Sequence, residues 1–258
     1  MQRRRFVRQF GAGFISVLGL GLASNWQQAQ AQSSGLQIRW LGHMCFLFSG
    51  SGQRLLVNPF RALGCTAGYA VPNATADAVL ISSRLFDEGG TLLDLTGDPD
   101  ILAEPGVYDL PSVQLQAIET PREREDGRQF PPNLIWSWQQ GGLNVVYLGG
   151  INSPIELEEQ ILLGRHEVLV VPVGGGPKAY NAEEAIAAMN VLRPRIVIPM
   201  QYRTAAADPE QCDLDELQRF LGLIPGVATR QAGSSVTLTT ASLPGGDGMI
   251  VQQFTLPT

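Results

Sequence analysis

Short apolar runs, each closed by turn residues, are what most restrict the fold of this chain. Residues 36–48 and 54–58 alternate or run apolar and read as a hairpin. Residues 77–82 form a buried strand, and 113–118 come close to strict two-residue alternation within a Pro- and Gly-punctuated stretch, 99–120. Residues 133–138 and 143–148 read as a second hairpin around Gln140-Gly141-Gly142. Helical signals come later. Ser153-Pro154 opens a helix through 163, because proline suits a first helical turn. Asn181 caps a second helix, with Glu183 and Glu184 in its first turn and Ala185, Ile186, Met189 and Leu192 on its apolar face. Asp213 caps a third, 214–221, and strands at 236–239 and 250–256 close the chain. The pattern is one α/β domain, and a 44% apolar composition supports a substantial core.

Seven blocks occur in a telling order. They are Trp40-Leu41-Gly42-His43; Leu55-Leu56-Val57-Asn58-Pro59-Phe60; 76–82 leading into Ser83-Arg84-Leu85-Phe86-Asp87-Glu88; Asn144-Val145-Val146-Tyr147-Leu148-Gly149-Gly150; 167–175; Glu183-Glu184-Ala185; and Arg195-Ile196-Val197-Ile198-Pro199-Met200-Gln201-Tyr202. Over residues 36–240 this series resembles the metallo-β-lactamase superfamily, in its compact subgroup of lactonase-like and other small hydrolases. The resemblance implies an αββα sandwich, with strand-rich halves each followed by helices. It also implies substrate binding at the strand-end loops that carry the metal ligands. In register with the family's His-x-His-x-Asp-His turn, Ser83 and Leu85 stand for the first two histidines, Asp87 for the aspartate and Glu88 for the third histidine. Gly150 stands for the metal-bridging aspartate, and Gln201 for the histidine of Pro-x-His-Tyr.

Composition bears on the metal independently. A two-zinc site of this kind needs several neutral imidazoles. The chain has two histidines, His43 and His166. His43 lies in the Gly-His block at the pocket edge, where it reads as a hydrogen-bonded structural residue. His166 falls outside every ligand block and reads as an ordinary surface or strand-edge histidine. Cys45, Cys65 and Cys212 form no Cys-x-x-Cys pair, and their odd number leaves at least one thiol free. Cys45 lies on a strand and reads as core. Zinc is therefore not expected. Asp87, Glu88 and Gln201 offer only an oxygen site for Mg²⁺ or Ca²⁺.

The N-terminus carries Gln2-Arg3-Arg4-Arg5-Phe6-Val7-Arg8, an apolar stretch from Phe10 to Ala23, and Ala29-Gln30-Ala31. A basic head, a short apolar segment and a small-residue cleavage site read as a signal peptide, and the paired arginines resemble a twin-arginine export signal. The apolar segment is too short and Gly-rich for a good membrane span, so no stable span is expected after cleavage. The expected organisation is a signal peptide, 1–31, and one domain, 32–258, exported to a periplasm or thylakoid lumen. Four of the 18 basic residues and none of the 24 acids fall in 1–31, leaving 14 against 24, net −10. Such a body disfavours nucleic acid and anionic membranes.

The candidate pocket residues are thus Asp87, Glu88, Ser83, Gln201 and His43. The loop 119–128 alternates charges and holds no histidine; it reads as a solvated surface, or else as a salt-bridged lid. Asp87 has a structural role open to it, capping its turn or pairing with Arg84. Lys178, the only lysine, follows a Gly-rich turn without phosphate-loop spacing; it reads as exposed, or as a contact for an anionic ligand. Two functions compete. One is a pseudoenzyme that binds a small molecule or a protein. The other is a hydrolase of an ester, lactone or phosphodiester with a rewritten site: Asp87 and Glu88 as base and acid, or Ser83 as a nucleophile served by His43.

Overall fold

The computed structural model describes residues 35–89, 95–122 and 130–256, so the expected signal peptide lies outside the described residues. The domain opens with an antiparallel meander, β1 (Leu36–Gly42), β2 (Cys45–Gly50) and β3 (Gln53–Val57), which β4 (Ala78–Leu80) and β5 (Asp100–Leu102) extend in parallel. An antiparallel run follows: β6 (Gly106–Asp109), β7 (Gln114–Thr120), β8 (Asn133–Gln140) and β9 (Leu143–Tyr147). Three helix–strand steps complete the chain. They are α1 (Leu157–Leu163) to β10 (Val168–Pro172), α2 (Ala182–Leu192) to β11 (Ile196–Met200), and α3 (Leu217–Gly222) to β12 (Ala228–Gln231), β13 (Ser235–Leu238) and β14 (Ile250–Gln253). The six-stranded sheet has the order β13-β1-β2-β3-β4-β5. The eight-stranded sheet has the order β12-β14-β11-β10-β9-β8-β7-β6.

The sheets meet on one apolar layer. Successive strand residues point to opposite faces, and the first sheet divides its side chains accordingly. Phe46, Phe48, Leu55, Val57 and Leu80 join Trp136, Tyr147, Val170 and Ile198 in the central cluster. Phe48 meets Trp138 edge-on at 5.0 Å, and Phe46 meets Tyr147 at 6.4 Å. Cys45, Leu56, Val79 and Ile81 face the other way and pack with Phe60, Tyr69, Ala207, Cys212 and Leu214. That second layer departs from the expectation of helices after each half. Among the described residues the first half has only the short 3-10 turn Gly64–Thr66. Irregular chain covers the sheet instead, and a Cys65–Cys212 disulfide joins its two stretches across 147 residues. Cys45 is the free, buried cysteine, and burial pushes its thiol well above its usual range.

The helix α2 starts where expected. Asn181 accepts from the Glu184 amide at 2.9 Å, and the Glu184 carboxylate accepts from the Asn181 amide at 2.8 Å. Two other starts are later than expected. The helix α1 begins at Leu157, because Glu156, not Ser153, is the capping residue, its amide held by Glu159 at 2.9 Å. The helix α3 begins at Leu217 and not at 214, because tertiary bonds hold the preceding residues extended. The Asp215 amide donates to the Gly174 carbonyl and its carbonyl accepts from the Arg203 amide, both at 2.8 Å. The first expected hairpin is three strands: β1 turns into β2 at Gly42-His43, with φ of 105° and 48°. Periodicity through 36–48 hides that turn.

Candidate functional site

Seven chain segments bring the site together at one end of the sandwich. The turn after β4 supplies Ser83, Asp87 and Glu88. The end of β7 supplies Arg122, the start of β8 Asn133, the end of β9 Gly149-Gly150, the loop after β10 Lys178, the end of β11 Gln201, and the β1–β2 turn His43. His43, Asn58 and Gln201 have positive φ, 48°, 49° and 52°. Left-handed backbone is costly for non-glycine residues and gathers where surrounding structure enforces a particular side-chain placement.

The centre of the site is an ion pair. The Glu88 carboxylate accepts from the Arg122 guanidinium, from Ser83 Oγ at 3.0 Å and from Gln201 Nε2 at 3.3 Å. Both charged side chains have zero exposure. Arg122 also donates to Asn133 Oδ1 at 3.3 Å and approaches Ser83 Oγ at 3.5 Å. Asn133 is fixed in turn, its amide donating to the Leu148 carbonyl at 2.8 Å and to Thr120 Oγ1 at 3.2 Å. The pair explains Gly150. A Cβ there would run into the guanidinium and lie 2.6 Å from Glu88 Oε1. Any larger residue, an aspartate included, would have to displace the pair. Burial pushes the Glu88 carboxyl above its ordinary value, and the attraction of Arg122 offsets part of that rise.

Asp87 faces outward. It pairs with Lys178, the two side chains 21% and 23% exposed. Burial would raise its carboxyl, but the charges of Lys178 and His43 outweigh this and hold it below the ordinary value. His43 lies edge-on to Phe60 and Tyr69, at 5.9 and 6.3 Å. Neither ring nitrogen has a hydrogen-bond partner among the described residues, and burial lowers its pKa to about 4, so the ring is neutral at pH 7.

Several expectations need correction. Arg122 belongs neither to a solvated surface nor to a lid; it is buried at the centre, while 123–129 lie outside the described residues. Lys178 is held by Asp87 and is not an exposed lysine. Arg84 pairs with Glu104 at 2.7 Å, not with Asp87. Ser83 Oγ is engaged by Glu88 and Arg122, and His43 is not among its partners, so no nucleophile–base pair forms. The His43 carbonyl accepts from Trp40 Nε1 at 3.0 Å, but its ring is not hydrogen-bonded among the described residues. His166 is no surface residue: it is 3% exposed, its Nδ1 at 3.3 Å from the Gly164 carbonyl. The residues missed from sequence are Arg122 and Asn133. A buried Glu88 beside Gly150 demands a cation, and the Pro121-Arg122 step at the end of β7 was the available signal.

A binuclear zinc centre does not fit these residues. The Arg122 guanidinium occupies the centre, and no group of three His, Cys, Asp or Glu among the described residues could hold a metal. The oxygen site fits no better. Glu88 is taken by Arg122 and Asp87 by Lys178, so that of the three only Gln201 Oε1 has no partner among the described residues.

The model of the β-lactamase superfamily domain matches residues 37–201. The chain belongs to that superfamily. A UPF0173 protein of Pyrococcus furiosus is 28% identical over 197 residues, 68% of this chain and 88% of its own length. A UPF0173 metal-dependent hydrolase of Pyrobaculum neutrophilum is 28% identical over 207 residues, 68% of this chain and 89% of its own length. A crystal structure from Thermotoga maritima, named for a proposed Zn-dependent hydrolase of the metallo-β-lactamase superfamily, has a TM-score of 0.67. It is 24% identical and covers 85% of this chain and 100% of that one. The fold is the mixed α/β metallo-β-lactamase fold, with two sheets and few helices.

Proposed function

We propose that this metallo-β-lactamase-fold protein is a pseudoenzyme: it has exchanged the metal centre for an internal ion pair and serves as an exported binding or accessory protein. The buried Glu88–Arg122 pair carries the reading. A guanidinium is a permanent cation, and it supplies no exchangeable water to activate. The groups that remain around it are engaged in holding it. The hydrolase names of the relatives describe those proteins; fold inheritance alone does not bring their chemistry here. Export is supported by the paired arginines ahead of an apolar stretch and by the Cys65–Cys212 disulfide, since such bonds persist in oxidising compartments.

The test is turnover. The purified protein, supplemented with zinc, magnesium or calcium in turn, is offered esters, lactones and phosphodiesters. No turnover above background is expected. Turnover that Asp87→Ala abolishes in a still-folded protein would restore the hydrolase and end the pseudoenzyme reading. N-terminal sequencing of the cell-fractionated protein checks export, with a start at Gln32 outside the cytoplasm expected.

A further inference from the structure

A cleft of about 380 Å³ opens beside the Asp87–Lys178 pair. Its walls include Leu63, Leu85, Phe86 and Leu214, and its polar lining includes Gln201 and Asp213. The volume is at the small-ligand end of the range for binding pockets, and apolar walls with a few fixed polar groups are what such pockets present.

The polar groups discriminate between ligands. Lys178 is committed to Asp87, so its charge is not free for an anion. Asp213 enters no ion pair among the described residues. Arg61, another cation of this region, lies over the Phe86 ring at 5.3 Å and is not part of the lining. The cleft therefore has two carboxylates against one ammonium. Gln201 adds an acceptor. The residue is 1% exposed, its Nε2 donates to Glu88, and its Oε1 has no partner among the described residues. A buried acceptor without a partner is costly and calls for a donor. An ammonium group has three donors and no acceptor.

We propose that this cleft binds a small organic ammonium ion with an apolar body, its head group at Gln201 Oε1 and the Asp213 carboxylate and its body against Leu63, Leu85 and Leu214. The inference rests on the pseudoenzyme reading, because a metal at the centre would reverse the charge that the cleft offers. It sets this protein apart from any binder of anionic esters.

The experiment is calorimetric titration of the purified protein with hexylammonium, 1-hexanol and hexanoate, which share a body and differ in the head group. Hexylammonium is expected to bind at least about tenfold more tightly than hexanol, the size of one charged hydrogen bond, and hexanoate more weakly than either. Asp213→Asn, at an exposed position where folding is not at stake, should bring hexylammonium down to the affinity of hexanol. Asp109→Asn, an equal charge change on β6, should leave it unaltered. Hexanoate binding as well as hexylammonium, no heat from hexylammonium at millimolar concentration, or equal losses in the two variants would each overturn the inference. Zinc in the same preparation would instead overturn the reading beneath it, whereas metal-free protein indifferent to amines overturns only the ligand.

Discussion

Asp87 and Glu88 are consecutive in the chain, both are carboxylates, and both end on a cation, yet they do opposite work. Glu88–Arg122 is fully enclosed and carries hydrogen bonds from Ser83 and Gln201. Asp87–Lys178 opens on a cleft and keeps about a fifth of each side chain in solvent. In a low-dielectric interior desolvation dominates, so the Glu88 carboxyl is raised. Desolvation also acts on Asp87, but there the attraction of Lys178 and His43 and the hydrogen bond from Lys178 together outweigh it and the carboxyl is lowered. Surroundings, more than residue type, decide which of two adjacent acids is enclosed with its partner and which lies with its partner on the cleft.

The largest effect expected is from breaking the plug on one side. Arg122→Leu strands a buried carboxylate and should cost about 3–5 kcal/mol in urea unfolding. Adding Glu88→Leu should restore most of that stability, because an apolar pair of similar volume often replaces a buried ion pair without loss. Additive losses in the double variant would mean that the two residues do not act as one unit.

The next effect is acid sensitivity from His43. Its pKa falls from 6.5 unfolded to about 4 folded. Between those values the unfolded chain binds the proton and the folded chain does not, so stability drops as pH falls through the window. At 1.36 kcal/mol per pKa unit the loss is about 3 kcal/mol. His43→Asn, which tolerates the left-handed backbone, should flatten that slope; an unchanged slope would place the proton elsewhere.

The two acids should then separate by sign. The lowered Asp87 contributes stability above its unfolded value, about 3.9, that is lost as pH falls through its folded value. The raised Glu88 contributes stability below its unfolded value, about 4.3, that is lost as pH rises through its folded value. Asp87→Asn and Glu88→Gln should therefore change the stability–pH curve in opposite directions under chemical denaturation. Slopes of the same sign would erase the contrast. The smallest effect is from the less enclosed pair: Lys178→Met leaves an Asp87 carboxylate that still reaches solvent, and should cost less than Arg122→Leu in the same urea unfolding.

Much of the fold was legible because buried strands announce themselves: β4, β10 and β11 are continuous apolar runs, and the box at Asn181 fixes the start of α2. Long-range bonds hid the rest. Nothing near Asp213 shows that Gly174 and Arg203 hold the next residues out of a helix. Cys65 and Cys212 are 147 residues apart, and three cysteines allow three pairings. In the site, Ser83, Glu88 and Gln201 were found by register, and the structure brings all three together. Arg122 was not found, because within 119–128 its charge looks like its neighbours', and only the packing around Gly150 singles it out.

Whether the centre takes a metal decides between pseudoenzyme and hydrolase. The direct measurement is elemental analysis of the protein purified without chelator, and again after incubation with excess zinc and dialysis. Far below one equivalent of zinc is expected in both samples. One or two equivalents retained after dialysis would contradict the pseudoenzyme reading, since zinc and the Arg122 guanidinium cannot share that space.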